Sequence, residues 1–227
     1  MQYGLANTTT IDLSILHNPH RRSLDEHDYL YGKACRITLC IRGRENQGLS
    51  AEGDAAAKRV AEYFSGIDIH YLASSPYARA KQTIQYLAES KLLPVAEYEE
   101  LVERPIKGLD YKSTWDVIEE AIRKSFIDHD FALEGGETTW QAQQRAIPVI
   151  EKLLEEQQGK NIVIGTHGNI MTIIMNYYDA EYGYAFWNQT SKPDIYSMMF
   201  NRNRLERIER IWEPDSHAEE ASIAADT

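Results

Sequence analysis

The sequence predicts an α/β fold, a three-layer α/β/α sandwich around a mostly parallel sheet. Two observations carry this. Short apolar, β-branched runs at 37–41 and 161–166 have the length and character of strands buried on both faces. Longer segments with helical spacing alternate with such runs, as a parallel sheet with crossover helices requires. The expected domain covers residues 36–213, after an N-terminal extension (1–35) and before an acidic, disordered tail (214–227).

Regular signals begin with the strand Ile37-Thr38-Leu39-Cys40-Ile41. Ser50 then offers an N-cap for a helix to about Phe64, with Val60, Ala61 and Phe64 on one face and Gly66 ending it. Ile67 to Ala73 reads as the second strand. Ser75 as N-cap and Pro76 at the first helical position start a helix to about Ser90. Leu92 to Ala96 is a short third strand, and helices follow over Thr114 to Phe126 and Thr139 to Gln157, the second kinked at Pro148. Asn161 to Thr166 is the fourth strand and runs straight into His167-Gly168 and another helix. Two strands, Ile195 to Phe200 and Leu205 to Trp212, are joined by a tight turn at 201–204.

Composition narrows the partners. A net charge of −11 argues against nonspecific binding to nucleic acid or to an anionic membrane, since both need a basic surface. No apolar run reaches the roughly 18–20 residues needed to span a bilayer, and the first thirty residues lack the pattern of a secretory signal. Two cysteines, Cys35 and Cys40, lie in or beside one strand and make no disulfide framework, which suits a reducing cytoplasm. An acidic chain can still gather arginines in one pocket. Three strand ends bring arginines and a histidine to one crevice: Arg42-Gly43-Arg44-Glu45 after the first, Ser74-Ser75-Pro76 with Arg79 after the second, and Thr166-His167-Gly168 after the fourth. Ligands of such sheets bind outside the carboxyl ends of the strands, and guanidinium forks beside helix N-termini suit phosphate oxygens. The expected partner is a small phosphorylated molecule or inorganic phosphate.

In this order the segments resemble the histidine phosphatase family, also called phosphoglycerate mutase-like. Its Arg-His-Gly-Glu hallmark aligns with Arg42-Gly43-Arg44-Glu45, and its Leu-Ser/Thr-x-x-Gly helix start with Leu49 to Gly53. Its Ser-Ser-Pro-x-x-Arg-Ala-x-Gln-Thr segment is matched throughout from Ser74 to Thr83. Leu101-Val102-Glu103-Arg104, Gly135-Gly136-Glu137-Thr138 and Thr166-His167-Gly168 match three further motifs. Trp187 and the stretch Ser191 to Tyr196 resemble a bacterial, broadly acting phosphatase branch. The resemblance implies that Arg42, Arg79, His167 and Gly168 hold a phosphoryl group and that Glu103 donates a proton to the leaving oxygen. It implies attack by a histidine on phosphorus, with no metal and no cofactor.

The departure falls on the nucleophile. Gly43 stands where the family keeps its attacking histidine, and Arg44 replaces a glycine that lets backbone approach phosphate. Only Asn46, Gln47 and Gly48 separate Glu45 from Leu49, fewer than the family places there. Every irregularity lies in residues 1–48. Losing a nucleophile from a preorganised site removes about 10⁴–10⁶ of the rate. The expectation is therefore a pseudoenzyme-like protein that binds phosphate monoesters with weak or absent hydrolysis. Two alternatives stay open: a working phosphomonoesterase with another nucleophile, such as water activated at His167, and a non-catalytic interaction module. Other histidines are poor substitutes, with His70 at the wrong end of the sheet and His17, His20 and His27 in the extension. Glu103 also has a plain reading as one of a solvated run with Glu97, Glu99 and Glu100, and Glu137 as a residue serving a helix start.

Overall fold

The computed structural model describes residues 34–41, 50–191 and 193–212. Arg42, Gly43, Arg44, Glu45 and the rest of 42–49, the expected extension up to residue 33, and the acidic tail lie outside the described residues. Among those described, six strands form one sheet: β1 (Ala34–Ile41), β2 (Tyr71–Ser74), β3 (Val95–Glu97), β4 (Asn161–Thr166), β5 (Asp194–Asn201) and β6 (Arg204–Arg210). Their order is β3-β2-β4-β1-β5-β6. The first four in that order run parallel; β5 is antiparallel to β1, and β6 to β5. The helices are α1 (Ala51–Tyr63), α2 (Ala78–Lys91), α3 (Trp115–Ser125), α4 (Thr139–Glu156), α5 (Gly168–Tyr178) and a single turn, α6 (Tyr184–Trp187).

Alternation along the strands builds the layers. In β4, Ile162 and Ile164 join α4 and α5 in one core, while Val163 turns to the other face and packs with Val60, Ile84 and Leu87 of α1 and α2. Leu72 and Ala73 of β2 divide in the same way. On α4, Ala142, Ala146, Ile150 and Leu153 recur at helical spacing and are fully buried, so one stripe of the helix lies on the sheet. Each such leucine or isoleucine stabilises the fold by about 1.5–3 kcal/mol. The helix runs on for 18 residues through Pro148, which supplies no N–H there. The edge strand β6 carries Arg204, Glu206, Arg207, Glu209 and Arg210, charges that discourage pairing with another chain.

Several boundaries differ from the sequence expectation. β2 starts at Tyr71, not Ile67: Ile67 and Ile69 are apolar because they cover the core under α1, outside any ladder. Leu92 is no strand residue; it caps α2 in the left-handed region (φ 55) and is exposed. Ser75 is not the N-cap of α2. That position is Tyr77, without a side-chain cap of its own, while the Ser75 hydroxyl accepts from the Tyr77 N–H at 3.3 Å. Ser50 does cap α1, accepting from the Gly53 N–H at 3.2 Å, and such a cap contributes about 1 kcal/mol.

Register fixes where the site falls. Ser74 of β2 pairs with Gly165 of β4, and Ile41 of β1 pairs with Thr166, so three parallel strands end side by side. Gly165 lets α2 sit close on β4: a Cβ there would meet the Ala80 carbonyl oxygen at 2.5 Å and the Ser74 hydroxyl at 3.1 Å. Both the Arg79-bearing turn and the His167-bearing strand end depend on that approach. Gly165→Ala should cost about 1–3 kcal/mol in urea unfolding, as overpacked cores do. Unchanged stability would contradict the close packing.

Candidate active site

β4 hands His167 to the N-cap position of α5, in extended backbone, where its ring is 1% exposed. Arg79 enters from the second residue of α2 and is 5% exposed. Its Nε donates to His167 Nδ1 at 3.1 Å, and His167 Nε2 lies 2.8 Å from Ser75 Oγ. A guanidinium can only donate, so Nδ1 accepts and the ring proton sits on Nε2, directed at Ser75. Burial, then the positive charges of Arg79 and Arg145, pushes the pKa of His167 down to about 3. The imidazole is neutral. Tyr77 flanks the pair, its ring 5.3 Å from the His167 ring and 5.3 Å from the Arg79 guanidinium.

Glu103 supplies what the N-terminus of α5 lacks. Its carboxylate accepts from Asn169 N at 3.2 Å and from Ile170 N at 2.9 Å, with a third bond from its neighbour Arg104 N at 3.0 Å. Desolvation nevertheless wins over these bonds and over the charge of Arg79, so the carboxyl pKa is raised above the ordinary range. A half-buried carboxyl that holds its proton more readily than usual therefore lies one turn from a neutral histidine.

Around this pair the charge is positive. Arg104 is 2% exposed, its guanidinium donates, among the described residues, to the hydroxyls of Thr139 and Ser125 at 2.9 Å each, and it is pushed down to about 10 by burial. Arg145 is paired with Glu137. Arg79 has no ion pair among the described residues, and Nε is spent on His167, which leaves the Nη fork for an anion. Asn169 is 4% exposed with both carboxamide atoms unpartnered among the described residues, a donor and an acceptor at the head of α5.

Of the residues that the sequence singles out, Arg79, His167, Glu103 and Gly168 are brought together, Gly168 as the first residue of α5. Arg42 and Gly43 lie outside the described residues. Glu103 is not part of a solvated run, because Leu101 beside it is fully buried and anchors the turn. Glu137 does not cap α4; Thr138 and Gln141 form that capping box, and Glu137 grips Arg145. His70 accepts from Asn161 N at the opposite end of β4, as expected. Sequence reasoning missed the roles of Ser75, Tyr77, Asn169, Arg104 and Arg145. Of these Ser75 and Arg104 had a usable signal, their places in the Ser-Ser-Pro and Leu-Val-Glu-Arg motifs.

No curated protein sequence matches the chain. A family model, histidine phosphatase superfamily (branch 1), matches residues 35–205, and the chain belongs to that superfamily. The fold is shared with solved structures of low identity. A mycobacterial glucosyl-3-phosphoglycerate phosphatase is 19% identical over 78% of this chain and 97% of its own, with a TM-score of 0.63. It has also been solved with VO3 and with inorganic phosphate. A phosphoglycerate mutase from Bacillus anthracis is 14% identical over 79% of this chain and 93% of its own, at 0.62. A putative alpha-ribazole-5'-P phosphatase from Escherichia coli is 20% identical over 79% and 96%, at 0.61.

The buried neutral histidine makes stability depend on pH. The folded pKa, about 3, lies below the ordinary 6.5, so the unfolded chain takes up a proton first. Stability is then lost as pH falls from about 6.5 towards 3, by up to about 1.4 kcal/mol per pH unit. Glu103, raised above 4.5, acts in the opposite sense over the lower part of that window. Urea unfolding of wild type and His167→Gln between pH 7 and 4 isolates the histidine, and wild type should show the steeper acid loss. Parallel curves would contradict a depressed His167.

Proposed function

We propose that the chain binds phosphate monoesters at the carboxyl ends of β1, β2 and β4 and hydrolyses them weakly or not at all. The observation that carries this is the Arg79–His167–Ser75 chain of hydrogen bonds, with Glu103 on the first amides of α5. In this reading the Nη fork of Arg79 takes phosphate oxygens, and the Ser75 hydroxyl, which accepts from the His167 Nε2–H, supplies a further donor. Gly168 lets the ligand near the head of α5, and the Asn169 carboxamide has a donor and an acceptor to spare. Glu103 is the group assigned to give a proton to the leaving oxygen, a role that its raised pKa favours. Arg42 is assigned to the same cradle from its motif; Ile41, just before it, pairs with Thr166.

Weak turnover follows from Gly43, which offers no atom to attack phosphorus. The hydrogen bonds also weigh against rescue by water activated at His167. A general base needs a free lone pair; Nδ1 spends its own on Arg79, and Nε2 already carries the proton. Ser75 is disfavoured as a nucleophile for the same reason. The relatives solved with phosphate and vanadate support the ligand class, and their phosphatase names support the reaction class.

Thermal melting with phosphate or vanadate should show stabilisation, about 2.7 kcal/mol at 100 times the dissociation constant, which Arg79→Ala abolishes. Aryl phosphate hydrolysis should be near background and rise when imidazole fills the place left by Gly43. Substantial turnover without imidazole would instead support another nucleophile. No melting shift with either anion would leave an interaction module.

A further inference from the structure

Glu103 reaches the head of α5 from a short turn, Glu99–Leu101, that no strand or long helix supports from within. Two outside groups hold that turn. On one side Thr166, the residue before His167, donates its hydroxyl to the Leu101 carbonyl at 3.2 Å. On the other side is Arg145, in the second turn of α4. Its Nη1 donates to the Glu100 carbonyl, and its Nη2 to the Val102 carbonyl at 3.0 Å. The same guanidinium is locked in a bidentate pair with Glu137, Nε to Oε1 at 2.7 Å and Nη2 to Oε2 at 2.8 Å. Its direction is thereby fixed by α4 and by the segment before it. The Glu137 backbone N–H is itself tied to the Pro105 carbonyl at 2.8 Å, just past Glu103.

We propose that Arg145 is the positioning residue of Glu103: aimed by Glu137, its fork holds the carbonyls on both sides of Leu101 and so docks the Glu103 carboxyl on the amides of Asn169 and Ile170. A planar fork with fixed donor directions can hook two carbonyls and a carboxylate at once; a lysine ammonium lacks that geometry. Arg145 touches none of the groups assigned to the ligand, so it acts through Glu103. Its charge also helps to keep His167 neutral, which ties both sides of the site to one side chain. The inference rests on the reading of Glu103 as the proton-bearing carboxyl of the site.

Amide NMR tests it directly. The Asn169 and Ile170 N–H groups bond the Glu103 carboxylate, so their shifts should step with pH at a midpoint above 4.5 in the wild type. Glu103→Gln should erase the step; a step that survives there would remove the premise about Glu103 and leave the phosphate-binding reading to its own test. Arg145→Gln should lose the step or move its midpoint towards 4.5, and Arg145→Lys, which keeps the charge without the fork, should not restore it. Glu137→Gln, which keeps an amide oxygen for the guanidinium but loses the bidentate pair that aims it, should weaken the step less than Arg145→Gln does. A purely structural staple would lower the melting temperature in all these variants and leave the step unchanged. An unchanged step in Arg145→Gln, or in Arg145→Lys should the first variant not fold, overturns the proposal.

Discussion

A single buried hydrogen bond, from Arg79 Nε to His167 Nδ1, sets the chemistry of the strand-end crevice. It joins two elements far apart in sequence, and it exists because β2 and β4 pair in register and Gly165 allows α2 to sit close. Its chemical effect is to choose a tautomer. With Nδ1 accepting from a permanent cation, the ring is neutral and can only donate through Nε2. A histidine so held suits an anion's oxygens and is ill suited to deprotonate water or serine.

The second constraint is charge. A chain with net charge −11 concentrates three arginines, 79, 104 and 145, about two carboxylates, 103 and 137. Local field outweighs net charge at short range, because Coulomb energy rises as solvent is excluded. Arg104, buried against two hydroxyls with no carboxylate bonded to its guanidinium among the described residues, is unfavourable on its own. It is tolerated next to Glu103 and Glu137, whose charges offset it.

Much of this was legible in the sequence. The bounds of β4, α3 and α4 and the start of α5 are legible because length, period and breakers agree there. Arg79 and His167 were placed together by motif order and by the rule that parallel strands share a carboxyl end. The misreadings share a cause: Ile67, Ile69 and Leu92 look like strand residues by composition, yet burial and helix capping decide them. Ser75 looks like a cap because serine before proline usually is one; its hydroxyl does accept the Tyr77 N–H, but the helix starts later and the same hydroxyl also meets His167. The contacts of Arg145 with the Glu100 and Val102 carbonyls, and of Arg104 with the Thr139 and Ser125 hydroxyls, were invisible because no spacing encodes bonds to backbone and hydroxyls in other segments.

Gly43 matters only if the rest of the crevice stays as rigid and donor-rich as the Arg79–His167 bond implies. Long-range proton–nitrogen NMR of the His167 ring in the ligand-free protein tests that bond most directly. The account predicts a neutral ring at pH 6 with its proton on Nε2 and an unprotonated Nδ1. A proton found on Nδ1, or a ring charged at that pH, would contradict it.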